Sequence, residues 1–312
     1  MMSPGQAAYH LVYRPLGAWR RMVAAGGPLE ILRTARGRRE MEAAAETLPV
    51  PTGQGPVVEV HVLSGSRFWQ QTVFCLWSFA QSSGRPLRPH IYDDGSLGRR
   101  ACEVLVGLWP GTRIVTHGET LEKLDRLLPR PRFPTLRERW DAYPNIRKLT
   151  DVHLGEAGWK LVMDSDLLFF RRPSMLLDWL DAPDRPLHAV DAEHSYGYPD
   201  ATLAELAGHP LPDRLNVGLC GLRGAAIDWD LLERWTRELI ARHGTHYFLE
   251  QALVAMLVAG ETCAVAPAQE YLTGPVLPEA EECRAVMHHY VADTKRWYFR
   301  HNWRRCLAGP VV

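Results

Sequence analysis

Over much of the chain, apolar positions alternate between the period of a β-strand and that of an α-helix. The run VVEVHVL at 57–63 is rich in β-branched residues and predicts a strand, and FWQQTVFCLWSFAQSS at 68–83 has helical spacing. A short strand breaking into a turn is expected at 89–97, and WKLVM at 159–163 predicts another. Strands separated by helices form βαβ units, so we expect an α/β fold with a mixed, mostly parallel sheet flanked by helices.

The remaining segments continue this alternation and become more mixed beyond residue 170. Helices are predicted at 99–109, 121–128, 145–154, 229–243 and 247–259, and strands at 113–117, 188–192, 215–222, 263–268 and 285–291. We expect the last two strands to close the sheet. Ligands of such sheets bind beyond the carboxyl ends of the parallel strands.

Residues 1–50 differ from the rest of the chain. Between Tyr9 and Glu46 apolar residues recur at helical spacing, interrupted by GGP at 26–28, and the charges are mostly arginine. One interpretation is a basic amphipathic pair of helices in peripheral contact with an anionic membrane. The other is a helical arm that packs on the main domain or on another subunit. The linker PVPTGQGP at 49–56 then leads into a domain predicted at 57–305.

Composition excludes several classes of protein. The 312 residues carry a formal net charge of zero, which argues against a dedicated nucleic-acid binder. The six cysteines are dispersed without a C-x-x-C pair, a spacing that favours reduced, buried thiols. No apolar run approaches the ~20 residues that cross a bilayer, and no signal-peptide pattern is present, so we expect a cytoplasmic protein.

The sequence D-S-D at 164–166 follows the strand predicted at 159–163. Two carboxylates at the end of a buried strand repel each other unless something neutralises them. Carboxylates, water and substrate phosphates are the ligands of Mg²⁺ or Mn²⁺. A second D-x-D, Asp228 and Asp230, precedes a helical pattern, so we expect Asp228 to cap that helix. Because the second pair has a structural explanation, the pattern alone is weak, and its position at a strand end distinguishes the first pair.

Common phosphate-binding and hydrolytic motifs are absent from the sequence. It contains no Walker A loop, no G-x-G-x-x-G, no G-x-S-x-G and no H-E-x-x-H. The turn IYDDGSL has a tyrosine where the phosphatase pattern has its nucleophilic aspartate.

The order and spacing of several motifs resemble the GT-A fold glycosyltransferases, within them the glycosyltransferase family 8-like group. The resemblance covers about residues 57–300. It rests on VHVLSGSRF, YDDGSL, NIRKL, KLVMDSDLLFFRRP, LNVGLCGLR, LEQALV and MHHYVADTKRW. It implies a GT-A (Rossmann-like) fold, a nucleotide-diphospho-sugar donor, an acceptor that the sequence does not name, and a Mn²⁺ or Mg²⁺ ion.

The resemblance also implies a metal site. Asp164 and Asp166 would hold an ion that bridges the two donor phosphates. A late histidine would complete the coordination, and strand alternation lets only one of His288 and His289 face the site. We prefer His288, because Lys295 then follows seven residues later, near the family's diphosphate-binding lysine. The other interpretation makes both of them ordinary strand histidines.

The resemblance assigns further positions to donor and acceptor. Ser64 and Gly65 would approach the nucleotide base, and Asp93 or Asp94 would bond base or ribose, unless that turn is only stabilised by Asx hydrogen bonds. Arg147 and Lys148 would face the phosphates or donor sugar, or else form a solvated helix face. The remaining positions around the donor sugar and acceptor hydroxyl are Asn216, Gly218, Asp191, Glu250 and Gln251.

Two departures from the family pattern bear on mechanism. Glu250-Gln251 stands where the family shows Asp-Gln, and the ending lacks the family's glycine and proline. Glu250 or Asp191 would be the base of an inverting enzyme, whereas a retaining enzyme needs none if the leaving phosphate takes the proton. The family favours retention. A non-catalytic protein that binds sugar nucleotides or glycans on the same fold is the alternative.

Overall fold

The computed structural model describes residues 26–308. The predicted alternation of strands and helices is present there, and the elements are numbered in chain order. The strands are β1 Val58–Ser64, β2 Leu87–Asp93, β3 Arg113–Val115, β4 Trp159–Met163, β5 Leu167–Phe169, β6 Leu187–Val190, β7 Leu215–Arg223, β8 Ala264–Val265, β9 Tyr271–Thr273 and β10 Met287–His289.

The helices alternate with these strands through most of the chain. They are α1 Pro28–Ala45, α2 Trp69–Ser83, α3 Arg99–Leu108, α4 His117–Leu127, α5 Pro134–Ala142, α6 Arg147–His153, α7 Ser174–Asp181, α8 Asp200–Ala207, α9 Trp229–His243, α10 Leu249–Leu257, α11 Leu277–Glu282, α12 Lys295–Trp297 and α13 Trp303–Leu307. A π-helical turn, Tyr298–Asn302, joins the last two.

The main sheet has the strand order β3-β2-β1-β4-β7-β6-β8. Strands β3, β2, β1 and β4 are parallel, as are β6 and β8, whereas β7 runs antiparallel to both of its neighbours. The prediction of a mixed, mostly parallel sheet is confirmed. The expectation that the strand at 285–291 closes this sheet is wrong, because β10 pairs with β5 and β9 in a separate small sheet.

Strand β1 and helix α2 have long apolar sequences because most of their residues are buried. Val60 and Val62 of β1 are fully buried, and nearly every residue of α2 is buried too. Helix α2 packs between β1, β5 and α1, so it has little exposed face. This packing holds β5, the strand that follows the D-S-D sequence, against α2.

Helix α1 forms the described part of the predicted N-terminal arm. Its inner face buries Met41 and Ala45, and the backbone of Gly37 lies so close to Phe299 that an added Cβ would be 2.1 Å from that residue's carbonyl oxygen. Arg304 donates to Glu40 across the same contact. These contacts agree with an arm that packs on the rest of the chain. The first helix of the predicted pair lies outside the described residues.

Two further features bear on the sequence predictions. The Asp228 side chain accepts a hydrogen bond from the Leu231 N–H and caps α9, which confirms the structural explanation of the second D-x-D. Within residues 26–308, no helix is long and apolar enough to cross a membrane.

Candidate functional site

The D-S-D sequence forms the connection between β4 and β5 at the carboxyl end of the main sheet. The Asp164 N–H donates to the carbonyl of Gly218 on β7 at 2.7 Å. The carbonyl of Asp166 accepts from the Tyr290 N–H, just after β10, at 3.0 Å. The turn is therefore held from both sides by backbone bonds, and its carboxylates are fixed relative to β7 and β10.

His289 is the histidine that lies beside this pair. Its Nε2 is 3.3 Å from Asp166 Oδ1 and 3.7 Å from Asp164 Oδ2. One ligand atom from each of Asp164, Asp166 and His289 can be chosen so that all lie within 4.8 Å of one another. Two carboxylate oxygens and one imidazole nitrogen at this separation form a donor set that is able to hold a divalent cation.

The preference for His288 over His289 is corrected by this geometry. The His288 side chain leaves the opposite face of β10, where its Nε2 lies 3.1 Å from Glu279 and its Nδ1 lies 3.0 Å from the Tyr290 hydroxyl. Strand alternation did allow only one of the two into the site. The spacing to Lys295 was a poor guide, because a turn separates that lysine from the strand.

Each of the two aspartates is paired with a lysine. Lys148 Nζ donates to Asp164 Oδ1 at 3.0 Å, and Lys295 Nζ lies 2.9 Å from Asp166 Oδ2. Each carboxylate thus gives one oxygen to a lysine and turns the other toward His289. Burial would raise the pKa of Asp166, but the hydrogen bond from His289 and the charge of Lys295 outweigh it and hold the pKa well below its usual value.

The charge of Asp166 acts on His289 in turn. Burial alone would lower the pKa of His289, but the hydrogen bond and charge of Asp166 raise it. Binding of a cation at these residues would therefore compete with protonation of His289.

Glu250 is a buried carboxyl on the other side of Lys148. Its Oε2 lies 3.5 Å from Lys148 Nζ, and only 4% of the residue is exposed. Burial raises the pKa of Glu250 to about 7, against the opposing charge of Lys148. For Lys148 the balance is reversed: burial lowers its pKa, but the charges of Asp164 and Glu250 outweigh burial and raise it. Lys148 therefore stays charged, while Glu250 can change its protonation near neutral pH.

A chain of amides and a carboxylate lies beside His289. Asp191 Oδ2 accepts from Asn216 Nδ2 at 3.0 Å and from Gln251 Nε2 at 3.1 Å, and its Oδ1 accepts from the Ala192 N–H at 2.8 Å. Asp191 directly follows β6, Asn216 is on β7 and Gln251 is on α10. The structure thus brings Asp191, Asn216 and Gln251 together.

These groups open into one cavity of about 730 Å³, within the size range of ligand pockets. Of the positions assigned to donor and acceptor, those on the cavity wall are Lys148, Asp164, Asp166, Asp191, Asn216, Gly218, Glu250, Gln251 and Lys295, with His289. Lining residues that the sequence reasoning missed are Tyr143, Asn145, Ala192, Glu193, Ser195, Val217, Tyr247, Phe248 and Val291–Thr294. The only feature of the sequence that could have identified them is that several lie next to an assigned position, as Tyr247 and Phe248 do before Glu250.

Five assigned positions do not line this cavity. Asp93 and Asp94 accept hydrogen bonds from backbone N–H groups within their own turn, the Asx alternative considered above. Gly65 faces that turn so closely that an added Cβ would lie 2.1 Å from Asp94 Oδ2. Ser64 is buried and bonds Thr72.

Arg147 is tied to the same turn. It donates to the carbonyl of Asp94 at 2.8 Å and stacks over Trp140 at 4.1 Å from the ring centroid. It is buried rather than part of a solvated helix face. Ser64, Gly65, Asp93, Asp94 and Arg147 therefore form a second cluster around the loop after β2.

Two solved glycosyltransferase structures are similar to this chain over most of its length. Mouse xyloside xylosyltransferase 1, in its apo form, superimposes with a TM-score of 0.51 at 12% identity, over 77% of this chain and 99% of the other. The galactosyltransferase LgtC, in complex with donor and acceptor sugar analogs, gives 0.53 at 12% identity, over 81% and 97%. No family model and no curated protein sequence matches the chain. At this identity the likeness confirms the GT-A fold.

Proposed function

We propose that the protein is a metal-dependent glycosyltransferase that transfers a sugar from a nucleotide-diphospho-sugar to a hydroxyl of an acceptor. The observation that carries this proposal is the convergence of Asp164 Oδ2, Asp166 Oδ1 and His289 Nε2 at the floor of a large cavity. That cavity lies at the carboxyl end of parallel strands, where α/β sheets bind their ligands. The fold shared with xylosyl- and galactosyltransferases agrees with it.

Asp164, Asp166 and His289 would hold a Mn²⁺ or Mg²⁺ ion. When bound, the ion supplies Lewis-acid charge that stabilises a departing diphosphate. Lys295 adds a second positive charge on the same side, since its ammonium already pairs with Asp166 and its side chain is 40% exposed. Lys148 holds Asp164 in place by donating to its Oδ1. The cavity floor is thereby arranged to bind phosphate groups through a lysine and a cation.

The transfer breaks the bond between the anomeric carbon and the phosphate oxygen and forms one between that carbon and the acceptor oxygen. The acceptor proton must go to a base. Asp191 is a poor candidate, because donors from Ala192, Asn216 and Gln251 already occupy its oxygens. Glu250 is buried and already paired with Lys148. We therefore favour retention, with the leaving phosphate oxygen as the proton acceptor, while Asp191 and Gln251 orient the sugar hydroxyls.

The nucleotide base is proposed to bind near the second cluster. Gly65 and Asp94 lie next to each other at the ends of β1 and β2, which point to the same edge as β4. Arg147 joins that loop to α6, and the next residue, Lys148, reaches Asp164. These contacts connect the loop after β2 to the metal site, and they support a donor that binds with its base at the loop and its diphosphate at the metal site.

A thermal-shift screen of nucleotide sugars with and without Mn²⁺ tests this proposal. A ligand at 100 times its dissociation constant stabilises the native state by about 2.7 kcal/mol. We expect one donor to raise the melting temperature only with Mn²⁺, and Asp166→Ala to abolish the effect. An equal response in Asp166→Ala would exclude the metal role.

A peripheral membrane contact and a role in bacterial glycan or glycolipid synthesis at the cytoplasmic face are part of this proposal. Leu29 and Leu32 are exposed on one face of α1 together with Arg33 and Arg36. Apolar side chains beside arginine suit an anionic lipid surface. Cosedimentation with anionic vesicles tests it: Leu32→Asp should weaken binding, and unchanged binding would contradict the contact.

A further inference from the structure

The side chain of Asn216 lies between three polar groups of the site. It is on β7 and 4% exposed. Its Oδ1 accepts from the backbone N–H of Gly218 at 2.9 Å and lies 3.1 Å from His289 Nδ1. Its Nδ2 donates to Asp191 Oδ2 at 3.0 Å. Both lone pairs of Oδ1 and one of the two Nδ2 hydrogens are therefore engaged by the protein itself.

These neighbours allow only one orientation of the amide. The Gly218 N–H can only donate, and the Asp191 carboxylate, which also takes the amide hydrogen of Gln251, can only accept. Rotating the amide by half a turn would set its NH₂ against the Gly218 N–H and its oxygen against the carboxylate. The oxygen of Asn216 must therefore point toward Gly218 and His289.

The orientation of Asn216 fixes the proton on His289. Since Oδ1 can only accept, its bond to the ring requires a hydrogen on Nδ1. In the neutral ring the lone pair is then on Nε2, the nitrogen 3.3 Å from Asp166 Oδ1 and 3.7 Å from Asp164 Oδ2. We propose that Asn216 is the positioning residue that holds His289 as the Nδ1–H tautomer and keeps Nε2 free for the cation. This inference rests on the metal site of the proposed function.

The backbone of β7 contributes to the same positioning. An added Cβ at Gly218 would lie 2.3 Å from His289 Cε1, so the ring packs directly on this glycine. The His289 ring is thus in contact with Gly218 and is bonded to Asn216 through Nδ1. Because Asn216 also bonds Asp191, one residue aligns the cation-facing nitrogen and the carboxylate assigned to the sugar.

Nitrogen-15 NMR of the histidine rings tests the tautomer without any turnover. The His289 signal is assigned by its absence in His289→Gln and recorded on metal-free protein at a pH where the ring is neutral. We expect Nδ1–H in the wild type. Nε2–H in the wild type would overturn the proposal before any variant of Asn216 is made.

Variants of Asn216 test its role in cation binding. In Asn216→Leu we expect the Nε2–H tautomer, which can donate to Asp166, and a loss of Mn²⁺ affinity of roughly 10–100-fold, the usual effect of removing a residue that orients a metal ligand. Asn216→Asp keeps the acceptor oxygen, and a proton on its other oxygen can replace the amide hydrogen given to Asp191, so this variant should restore Nδ1–H. Retention of Nδ1–H together with wild-type Mn²⁺ affinity in Asn216→Leu would overturn the proposal.

Gln251→Leu is the matched control. This variant removes the other amide that is bonded to Asp191 Oδ2. The Gln251 amide donates to Asp191 and to the Ser195 carbonyl, and not to His289. We expect the wild-type tautomer and Mn²⁺ affinity, and a shift as large as that of Asn216→Leu would overturn the specific role of Asn216. The two proposals can fail separately. If the wild type has the Nδ1–H tautomer but does not turn over any donor, the glycosyltransferase proposal is contradicted. If the wild type turns over a donor but Asn216→Leu keeps the wild-type tautomer, only this inference is contradicted.

Discussion

His289 Nε2 lies 3.3 Å from Asp166 Oδ1, whereas the ring of the preceding residue, His288, is on the opposite face of β10 and bonds Glu279. Two adjacent histidines thus have different surroundings and should have different functions. The contrast distinguishes the proposed metal ligand from a structural residue within one strand.

His289→Ala should abolish the tight binding of Mn²⁺. Changing a residue that only orients a ligand costs roughly 10–100-fold in affinity, so loss of the ligand itself should cost at least as much. His288→Ala should leave Mn²⁺ affinity unchanged and lower the free energy of unfolding by about 1–3 kcal/mol, because half-buried Glu279 and buried Tyr290 lose a partner. Calorimetric titration with Mn²⁺ and thermal unfolding measure the two effects. The reverse pattern would return the role to His288.

The two D-x-D sequences give a second matched pair. Asp166→Asn should weaken Mn²⁺ binding at least tenfold, roughly the least effect of disturbing a ligand shell. Asp230→Asn changes the same residue type in the same pattern but breaks only an exposed pair with Arg132, worth about 0–1 kcal/mol. We expect wild-type Mn²⁺ affinity there. Equal losses in both variants would mean that the effect is not local to the site.

Sequence periodicity was enough for the alternation of elements and for the limits of β4 and α9, which coincide with their predicted ranges. The start of α4 was predicted wrongly. The helix begins at His117, four residues before the predicted start, because Thr116 and Glu119 form a capping box there. The position of β10 could not be predicted, since pairing with β5 depends on where the D-S-D turn directs the chain.

The candidate site was predictable where a residue type and a strand end coincide, as with Asp164 and Asp166. Which of His288 and His289 faces the site depends on the register of β10 against β5, and apolar periodicity in a three-residue strand does not define a register. The bond from Asn216 to His289 joins strands of two different sheets. No local pattern in the sequence contains that contact.

Glu250→Gln should stabilise the protein increasingly as the pH rises. The pKa of Glu250 is raised by burial from its reference value of 4.5 to about 7, so between these values the folded state holds a proton that the unfolded state has lost. The wild type therefore loses stability as pH rises through this window, by about 3 kcal/mol in all. Glutamine has no such loss. Urea unfolding of both proteins at pH 5 and pH 8 measures the difference, and a gap that stays constant or shrinks at pH 8 would contradict the assignment.

Gly37→Ala should destabilise the protein although alanine favours helices. In a free helix the change would gain roughly 1 kcal/mol, but the new Cβ would lie 2.1 Å from the backbone carbonyl oxygen of Phe299. Overpacking of this kind costs about 1–3 kcal/mol. Gly107→Ala in α3 is the control, because nothing lies within 4 Å of its Cβ, and it should raise the melting temperature. A melting temperature of Gly37→Ala at or above the wild-type value would show that α1 is not packed as described.

The most direct test of the proposed glycosyltransferase is release of nucleoside diphosphate from the donor that binds best in the thermal-shift screen. We predict slow release with Mn²⁺ alone, faster release when a suitable acceptor is present, and none with a chelator or in His289→Ala. Tight, Mn²⁺-dependent donor binding with no nucleoside diphosphate released, whatever acceptor is added, would contradict the enzyme and identify a protein that binds sugar nucleotides without transferring the sugar.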